Sequence, residues 1–407
     1  MKRALISTVG KREGIDRVVL RSIQEHNPDL VGIMTTPATR EQADSIEEKS
    51  KSIEFERYEF IDKDSIMQCY KDALDFIEKI IDKGYDSKEI YLNITLGTKP
   101  MSAGLALAAV TKECGNFTYI AGERDSDGIV KKGCETVYSM NPNIAVAETK
   151  LDKAKDYFNN HRYKSSQELC QEIINLVGEG APSEQAKKIN DLSKGYLCWD
   201  LFEHKKSIDI LRNTLNENEF TETRKKRIGG NIQHLKKCNE DIQSEAKVGE
   251  NLVVDLFSNS LRRYENNKFD DAVARLYRCL EMLGQHKLWK EHNLNHADMK
   301  LDPEIFTEKQ LSILRNWKGR NQELKIGLKK VWTVIEWLEI GNNEKILKKH
   351  GFIKILNARN HSILAHGSKS VSKDTFNKFR KKIENLLRQE IPQFESISQK
   401  SKHIKLD

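Results

Sequence analysis

The 407-residue sequence contains no apolar run long enough to cross a bilayer: its longest, around Leu105–Val110, falls far short of the roughly 20 residues that a spanning helix requires. No contact with a membrane is therefore expected. It also lacks any C-x2-C pair, and its seven cysteines are scattered and odd in number. That argues for reduced thiols and against a disulfide framework or a zinc ribbon. The first residues, Met1–Ser7, enter a strand-like run at once and offer no secretory leader, so a cytoplasmic protein is expected. No G-x4-G-K-[ST] loop occurs, which excludes a Walker-type nucleotide site.

What the chain has is charge, on 32% of its residues, with a formal net of +7. The balance is uneven. Residues 1–145 carry 20 Lys and Arg against 24 Asp and Glu, a net of −4, so the remaining 262 residues hold +11. A polyanionic partner is accordingly more plausible for the C-terminal part.

Up to about residue 145 short apolar strands alternate with amphipathic helices. Strand patterns fall at 4–9, 30–34, 53–60 and 89–94, and helical ones up to 25, then at 41–51, 65–83 and 101–110. Such alternation implies parallel βαβ units in a doubly wound sheet, whose ligands bind where loops diverge at the C-terminal ends of the strands. Two loops sit there. One is Ser7-Thr8-Val9-Gly10-Lys11; the other is Asn93-Ile94-Thr95-Leu96-Gly97-Thr98-Lys99-Pro100. Gly97 lets backbone amides approach an anion, Thr98 offers a hydroxyl and an N-cap, and Lys99 adds charge at a helix start. A cap-and-turn without a ligand accounts for the Gly-Thr-Pro part equally well.

From residue 146 the pattern is helical only. Segments at 148–160, 165–176, 186–200, 206–215 and 221–240 read as a connector, either a transmitter or a passive spacer. His161, His204 and His234 show no ligand-like spacing and are expected on exposed faces, and the lysine-rich tail from Lys400 is expected to be loose. Residues 246–407 form a further all-α domain. Its helices from 250, 269–283, 326–341, 353–365 and 372–390 surround a less regular stretch at 300–317. Trp332 is expected in the core, with base stacking a lesser alternative for it and Trp317, and Arg275 and Glu281 are expected to frame the helices as an ion pair.

Near the C-terminus stands Arg359-Asn360-His361-Ser362-Ile363-Leu364-Ala365-His366-Gly367. On a helix Arg359 and His366, seven positions apart, share a face to within about 20° and lie roughly 10 Å apart along the axis. They would present a fixed cation and a titratable imidazole to one side, with His361 pointing elsewhere. On its own such a pair is also an ordinary solvated helix face.

Taken together these motifs carry a resemblance. Thr8-Val9-Gly10, then Asn93-x-Thr95-x-Gly97-Thr98-Lys99-x-Met101, then Tyr119-Ile120-Ala121-Gly122-Glu123-Arg124 with a hairpin through Gly128 and Gly133, resemble a CARF domain. The run R-R-Y-x4-F-D-D-A-V-A-R-L-Y-R-x2-E from Arg262 to Glu281, with the downstream R-N-x5-H-G, resembles the HEPN domain of CARF–HEPN ribonucleases of type III CRISPR antiviral systems. The resemblance implies an α/β Rossmann-like CARF sensor (1–145), an all-α connector (146–245) and an all-α HEPN domain (246–407). It implies a homodimer activated by cyclic oligoadenylate, cA4 or cA6, held by Thr8, Val9, Gly10, Lys11, Thr95, Gly97, Thr98, Lys99, Gly122 and Arg124.

For the chemistry, RNA brings its own 2′-hydroxyl nucleophile, so no cofactor and no metal is expected. His366 would serve as general acid and base, Arg359 would hold the phosphate, and Asn360 would orient substrate or imidazole. The substrate is expected to be single-stranded RNA. Two other readings stay open: a non-catalytic sensor that regulates another effector, and a sensor that also cleaves its own ring.

Overall fold

A computed structural model describes residues 2–11, 14–123, 130–217, 220–318, 324–340, 352–353, 356 and 368–407. The chain divides into two compact units, one of residues 1–150 with 173–183, the other of 151–172 with 184–407.

The first unit is a doubly wound sheet. Its strands are β1 (Ala4–Thr8), β2 (Leu30–Thr35), β3 (Glu54–Glu59), β4 (Ile90–Asn93), β5 (Asn116–Ala121) and β6 (Thr136–Met140), in the order β3-β2-β1-β4-β5-β6. Every described pairing is parallel except β5 with β6. The central strands β1 and β2 are buried along their whole length, as continuous apolar runs covered on both faces must be. Helices α1 (Ile15–His26) and α2 (Arg40–Glu48) cover one face over Leu5, Val19, Val31, Ile33 and Ile46. Helices α3 (Ile66–Asp82) and α4 (Lys99–Thr111) cover the other over Ile6, Phe76, Ile77, Leu92 and Leu105. The two cross closely because Gly104 has no side chain: a Cβ there would stand 2.7 Å from the backbone of Cys69.

The strand order reverses direction between β1 and β4. Their C-terminal loops therefore part from one another and leave a crevice, as doubly wound sheets do at this point.

The second unit takes all but the first three residues of α7 (Ala181–Asp200), and α8 (His204–Glu217) and α9 (Glu222–Gln243) are followed by α10 (Glu250–Glu265) and α11 (Phe269–His292). Helices α5 (Asn143–Asn159) and α6 (Tyr163–Val177) each span the two units. After them come α12 (Glu308–Asn316), α13 (Leu328–Trp337), α14 (Lys373–Glu390) and α15 (Phe394–Lys400). Helix α12 lies where the sequence had suggested an irregular stretch. Its signal was local: Thr307 accepts from the Gln310 amide while the Gln310 side chain accepts from the Thr307 N–H at 2.9 Å, a reciprocal cap. Leu276, Leu280, Leu283, Trp332, Phe352, Leu356, Phe376 and Phe379 belong to one core. Trp332 is buried and its indole donates to the Leu280 carbonyl at 3.2 Å.

Two expectations are overturned here. The tail is not loose: Ser401, His403, Ile404 and Leu406 are buried. Asn231 donates to the carbonyls of Lys400 and Lys402 at 2.7 and 3.0 Å, and Asn159 pairs with both the N–H and the carbonyl of Leu406, each at 2.7 Å. The His403 ring packs 4.3 Å from Trp199 and 4.9 Å from Tyr196, and burial pushes its imidazole well below the ordinary histidine range. A few apolar side chains and two asparagines outweigh the lysines that had suggested a solvated end.

The histidines are not on exposed faces either. His204 and His234 are each 1% exposed and bond to the buried carboxylate of Asp255, both at 3.1 Å. His161 is half-buried between Glu265 at 3.0 Å and the Tyr163 hydroxyl at 2.9 Å. Apart from Tyr163, two positions from His161, these partners are carboxylates on other helices, so spacing along one helix gave no hint of them.

Asn231 also accepts from the Tyr196 hydroxyl at 2.7 Å. Asn231→Ala would leave that hydroxyl and two carbonyls unpaired, so a loss of about 3 kcal/mol in unfolding free energy is expected in urea titration. A change below about 0.5 kcal/mol would show that Asn231 does not anchor the tail.

Candidate functional site

The crevice between β1 and β4 opens into a cavity of about 650 Å³. Of the residues singled out in the sequence, Val9, Gly10, Lys11, Thr95, Gly97, Thr98 and Lys99 line it. Thr8 does not. It is fully buried, and its hydroxyl is given to the Leu96 carbonyl, which Ser102 also bonds at 2.8 Å. Thr8 therefore ties the two loops together from below. Gly122 also stays outside the lining and packs against the Cys134 carbonyl and Val130, where any Cβ would collide. Arg124 lies outside the described residues.

The β4 loop is held by its own polar side chains. The Asn93 amide oxygen accepts from the Thr95 N–H at 3.0 Å, its NH2 donates to Ser22 at 2.9 Å, and Thr95 Oγ1 accepts from the Ile120 N–H at 2.8 Å. Gly97 takes φ +90°, a conformation that L side chains adopt only at a cost. Thr98 caps α4 by accepting from the Met101 N–H, with Pro100 in the first turn, where a missing N–H is harmless. Its hydroxyl also donates to the Lys63 carbonyl at 2.9 Å, which draws the loop after β3 to the rim.

That loop and the one after β2 were not among the candidates drawn from the sequence. Thr36, Ala38, Thr39 and Lys63 line the cavity, with Ile15, Val18, Met101 and Val130 supplying apolar wall. Thr36 and Thr39 form a capped turn about Pro37, with the Thr36 N–H bonded to Thr39 Oγ1 at 2.9 Å. The signal was available, because Thr-Thr-Pro directly follows a parallel strand whose C-terminal end must face the crevice. Lys11, Lys63 and Lys99 are exposed around the cavity, and the Asp64 carboxylate beside Lys63 raises its ammonium above the ordinary range. Three cations, a helix start and threonine hydroxyls around an apolar wall suit a ligand with several phosphates and flat bases.

In the second unit, Arg359, Asn360, His361 and His366 lie outside the described residues. Around them Leu356 is in the core and the Val371 N–H donates to Asp270 at 3.1 Å. The helices of the R-R-Y…F-D-D-A-V-A-R run are described. Arg262 and Arg263 both bond Asp200, at 2.9 and 2.6 Å, and Arg275 bonds Asp271 and Asn259. Burial, with Arg263 beside it, pulls the Arg275 guanidinium down to about 10. Arg275 and Glu281 do not pair with each other; Glu281 takes Arg278 at 2.7 Å. These ions lock α7, α10 and α11 together.

Residues 242–390 match the family described as the Csm6 HEPN domain, and residues 146–242 match the Csm6 6H domain. Enterococcus italicus Csm6 bound to cyclic hexa-2′-fluoro-hexa-dAMP is similar over 98% of both chains, with a TM-score of 0.66 at 12% identity, a likeness of fold. Two further structures align too weakly to carry an argument. A type III CRISPR defence DNA nuclease activated by cyclic oligoadenylate covers 48% of this chain and 34% of its own, with a TM-score of 0.26 at 14% identity. Can2 from Sulfobacillus thermosulfidooxidans in complex with cyclic tetra-adenylate covers 50% and 68%, with a TM-score of 0.25 at 13% identity. No curated protein matches the chain.

A Cβ on Gly97 would sit 3.0 Å from Thr8 Oγ1 and 3.1 Å from the Met101 methyl, in a left-handed backbone. Gly97→Ala is expected to cost about 1–2 kcal/mol in urea denaturation, and an unchanged midpoint would mean that the loop relaxes freely.

Proposed function

The chain belongs to the CARF–HEPN effectors of type III CRISPR systems, and on that premise we propose that it is a homodimeric endoribonuclease switched on by cyclic oligoadenylate. The cavity at the strand-order reversal carries this reading, because four loops bring amides, hydroxyls and three lysines to a space of nucleotide size. The solved Enterococcus italicus Csm6 is described with a cyclic hexanucleotide analogue, which supports a ring of adenylates as the ligand. Lys11 and Lys99 would take phosphates, the amides about Gly10 and Gly97 would approach them, and Ile15 and Val18 would face a base.

Self-association is favoured by exposed apolar side chains in the first unit: Leu107 on α4, Tyr138 and Met140 on β6, and Ile144 at the start of α5. In a homodimer two HEPN motifs would meet, so that one site draws on two His366 imidazoles. His366 accepts the 2′-hydroxyl proton and returns one to the departing 5′-oxygen. Arg359 neutralises the phosphate as it becomes pentavalent, and Asn360 orients it. The products are a 2′,3′-cyclic phosphate and a 5′-hydroxyl, formed without a metal at the scissile bond.

A fluorogenic single-stranded RNA in EDTA, with cyclic tetra- or hexa-adenylate added, tests this. One ring is expected to raise the rate at least tenfold, and His366→Ala to lower it about 10²–10⁴-fold while still binding the ring. Undiminished cleavage by that variant would refute the assignment. Lys99→Ala is expected to raise the activator concentration needed for half-maximal rate about tenfold, with the rate at saturation unchanged. A normal activation curve would remove Lys99 from the sensor.

A further inference from the structure

The buried centre of the second unit, which the proposed chemistry does not use, gathers four side chains of metal-ligating type. His204 begins α8, His234 and Cys238 stand one turn apart on α9, and Asp255 comes from the middle of α10. All four are buried. His204 Nε2 and His234 Nε2 each lie 3.1 Å from a different oxygen of Asp255, and Cys238 Sγ lies 3.4 Å from His234 Nε2. Ligand atoms of His204, Cys238 and Asp255 fall within 4.8 Å of one another.

We propose that His204, His234, Cys238 and Asp255 form a structural site for a divalent cation, zinc by ligand type, where α8, α9 and α10 meet. Bonds of about 2.0–2.3 Å in a tetrahedral centre keep ligand atoms roughly 3.3–3.7 Å apart; the contacts of His204, His234 and Cys238 at 3.1–3.4 Å approach that, and the His204, Cys238 and Asp255 atoms, within 4.8 Å of one another, would draw in around the ion. Two residues at i and i+4 on one helix, completed from other helices, are a common way of building such a centre.

Proton counting favours the cation over hydrogen bonds alone. His234 Nε2 carries either one hydrogen or one lone pair, yet it faces both the Asp255 carboxylate and the Cys238 sulfur. If its hydrogen goes to Asp255, the sulfur is left with no donor or lone pair from the ring. A cation would take the lone pairs of all four, with the thiol proton released to solvent as it binds, leaving one dication balanced by a thiolate and a carboxylate. The Trp199 indole, donating to Asp255 Oδ1 at 2.8 Å, would then orient the carboxylate as an outer partner. His204 Nδ1 finds no partner among the described residues under either account. Because the four ligands are sealed from solvent, the ion would enter as the chain folds. It holds helices in place and takes no part in RNA cleavage, so this site stands or falls apart from the nuclease assignment.

The full-length protein, purified without chelators and without a metal-affinity tag, should contain about one equivalent of zinc per chain by plasma mass spectrometry. Protein produced in cobalt medium should show thiolate-to-cobalt charge transfer in the near ultraviolet and intense visible bands of a tetrahedral ion, and Cys238→Ala should lose the charge transfer. If that variant does not fold, the wild-type metal content and cobalt spectrum decide the matter alone. Less than about a tenth of an equivalent, persisting after refolding with excess zinc and with no cobalt–thiolate absorption, would overturn the site.

Discussion

A carboxylate with no contact to solvent sets the terms for the second unit. Asp255 sits in the middle of α10, and an ion so placed is tolerable only if its oxygens are matched. Burial alone would raise its pKa, yet the His204 and His234 imidazoles and the nearby Arg262 hold it well below the ordinary range. With Trp199 added, those contacts draw the end of α7, the start of α8 and the middle of α9 onto α10. The aromatic side chains that fill the remaining space, Tyr163, Tyr196 and Trp199, then leave a slot that His403 enters from the tail. Packing of the connector and closure of the C-terminus are consequences of where one acid was placed.

The first unit answers to a different constraint, the reversal of strand order. Parallel strands need crossover helices, and when the strand order reverses direction at β1 and β4 the loops above them part to either side. What keeps the gap from collapsing is a set of short bonds below the cavity: Thr8 to Leu96, Ser102 to Leu96, and Asn93 to Ser22 and to the Thr95 N–H. Polar residues read in sequence as candidates for ligand contact turn out to be divided. Some face the cavity, and others spend their hydroxyls holding it open.

That division marks the limit of what could be read from the chain alone. Alternating strands and helices, the Thr98 cap, Pro100 in the first turn and the need for glycine at position 97 are local properties, and each is found where its pattern placed it. The β2 and β3 loops carried weaker signals, since Lys63 reaches the rim through a bond to Thr98, 35 positions away. The Asp255 partners lie 51, 21 and 56 positions distant on separate helices, so no period or spacing within one element could have joined them. The tail misled for a related reason. Its lysines are conspicuous in sequence, whereas the asparagines that bind its backbone, Asn159 and Asn231, look like ordinary surface residues.

Whether residues 146–245 transmit a signal or merely separate two domains can be argued from this packing. A passive spacer would need few buried contacts with the helices C-terminal to it. Helix α9 instead packs along α10 and against α15, and Asp200, at the end of α7, anchors Arg262, Arg263 and Asn259 of α10. Asp200 and the two arginines are largely buried charges, and pulling them apart by even a small rotation would leave ions unmatched at a cost of several kcal/mol. A displacement imposed on α7–α9 is therefore carried by α10 and α11 as well, because the bonds that join them resist shear more strongly than the helix surfaces exposed to water. Under the proposed function, this portion of the chain belongs mechanically to the nuclease, and slack between sensor and nuclease cannot reside at the α9–α10 junction.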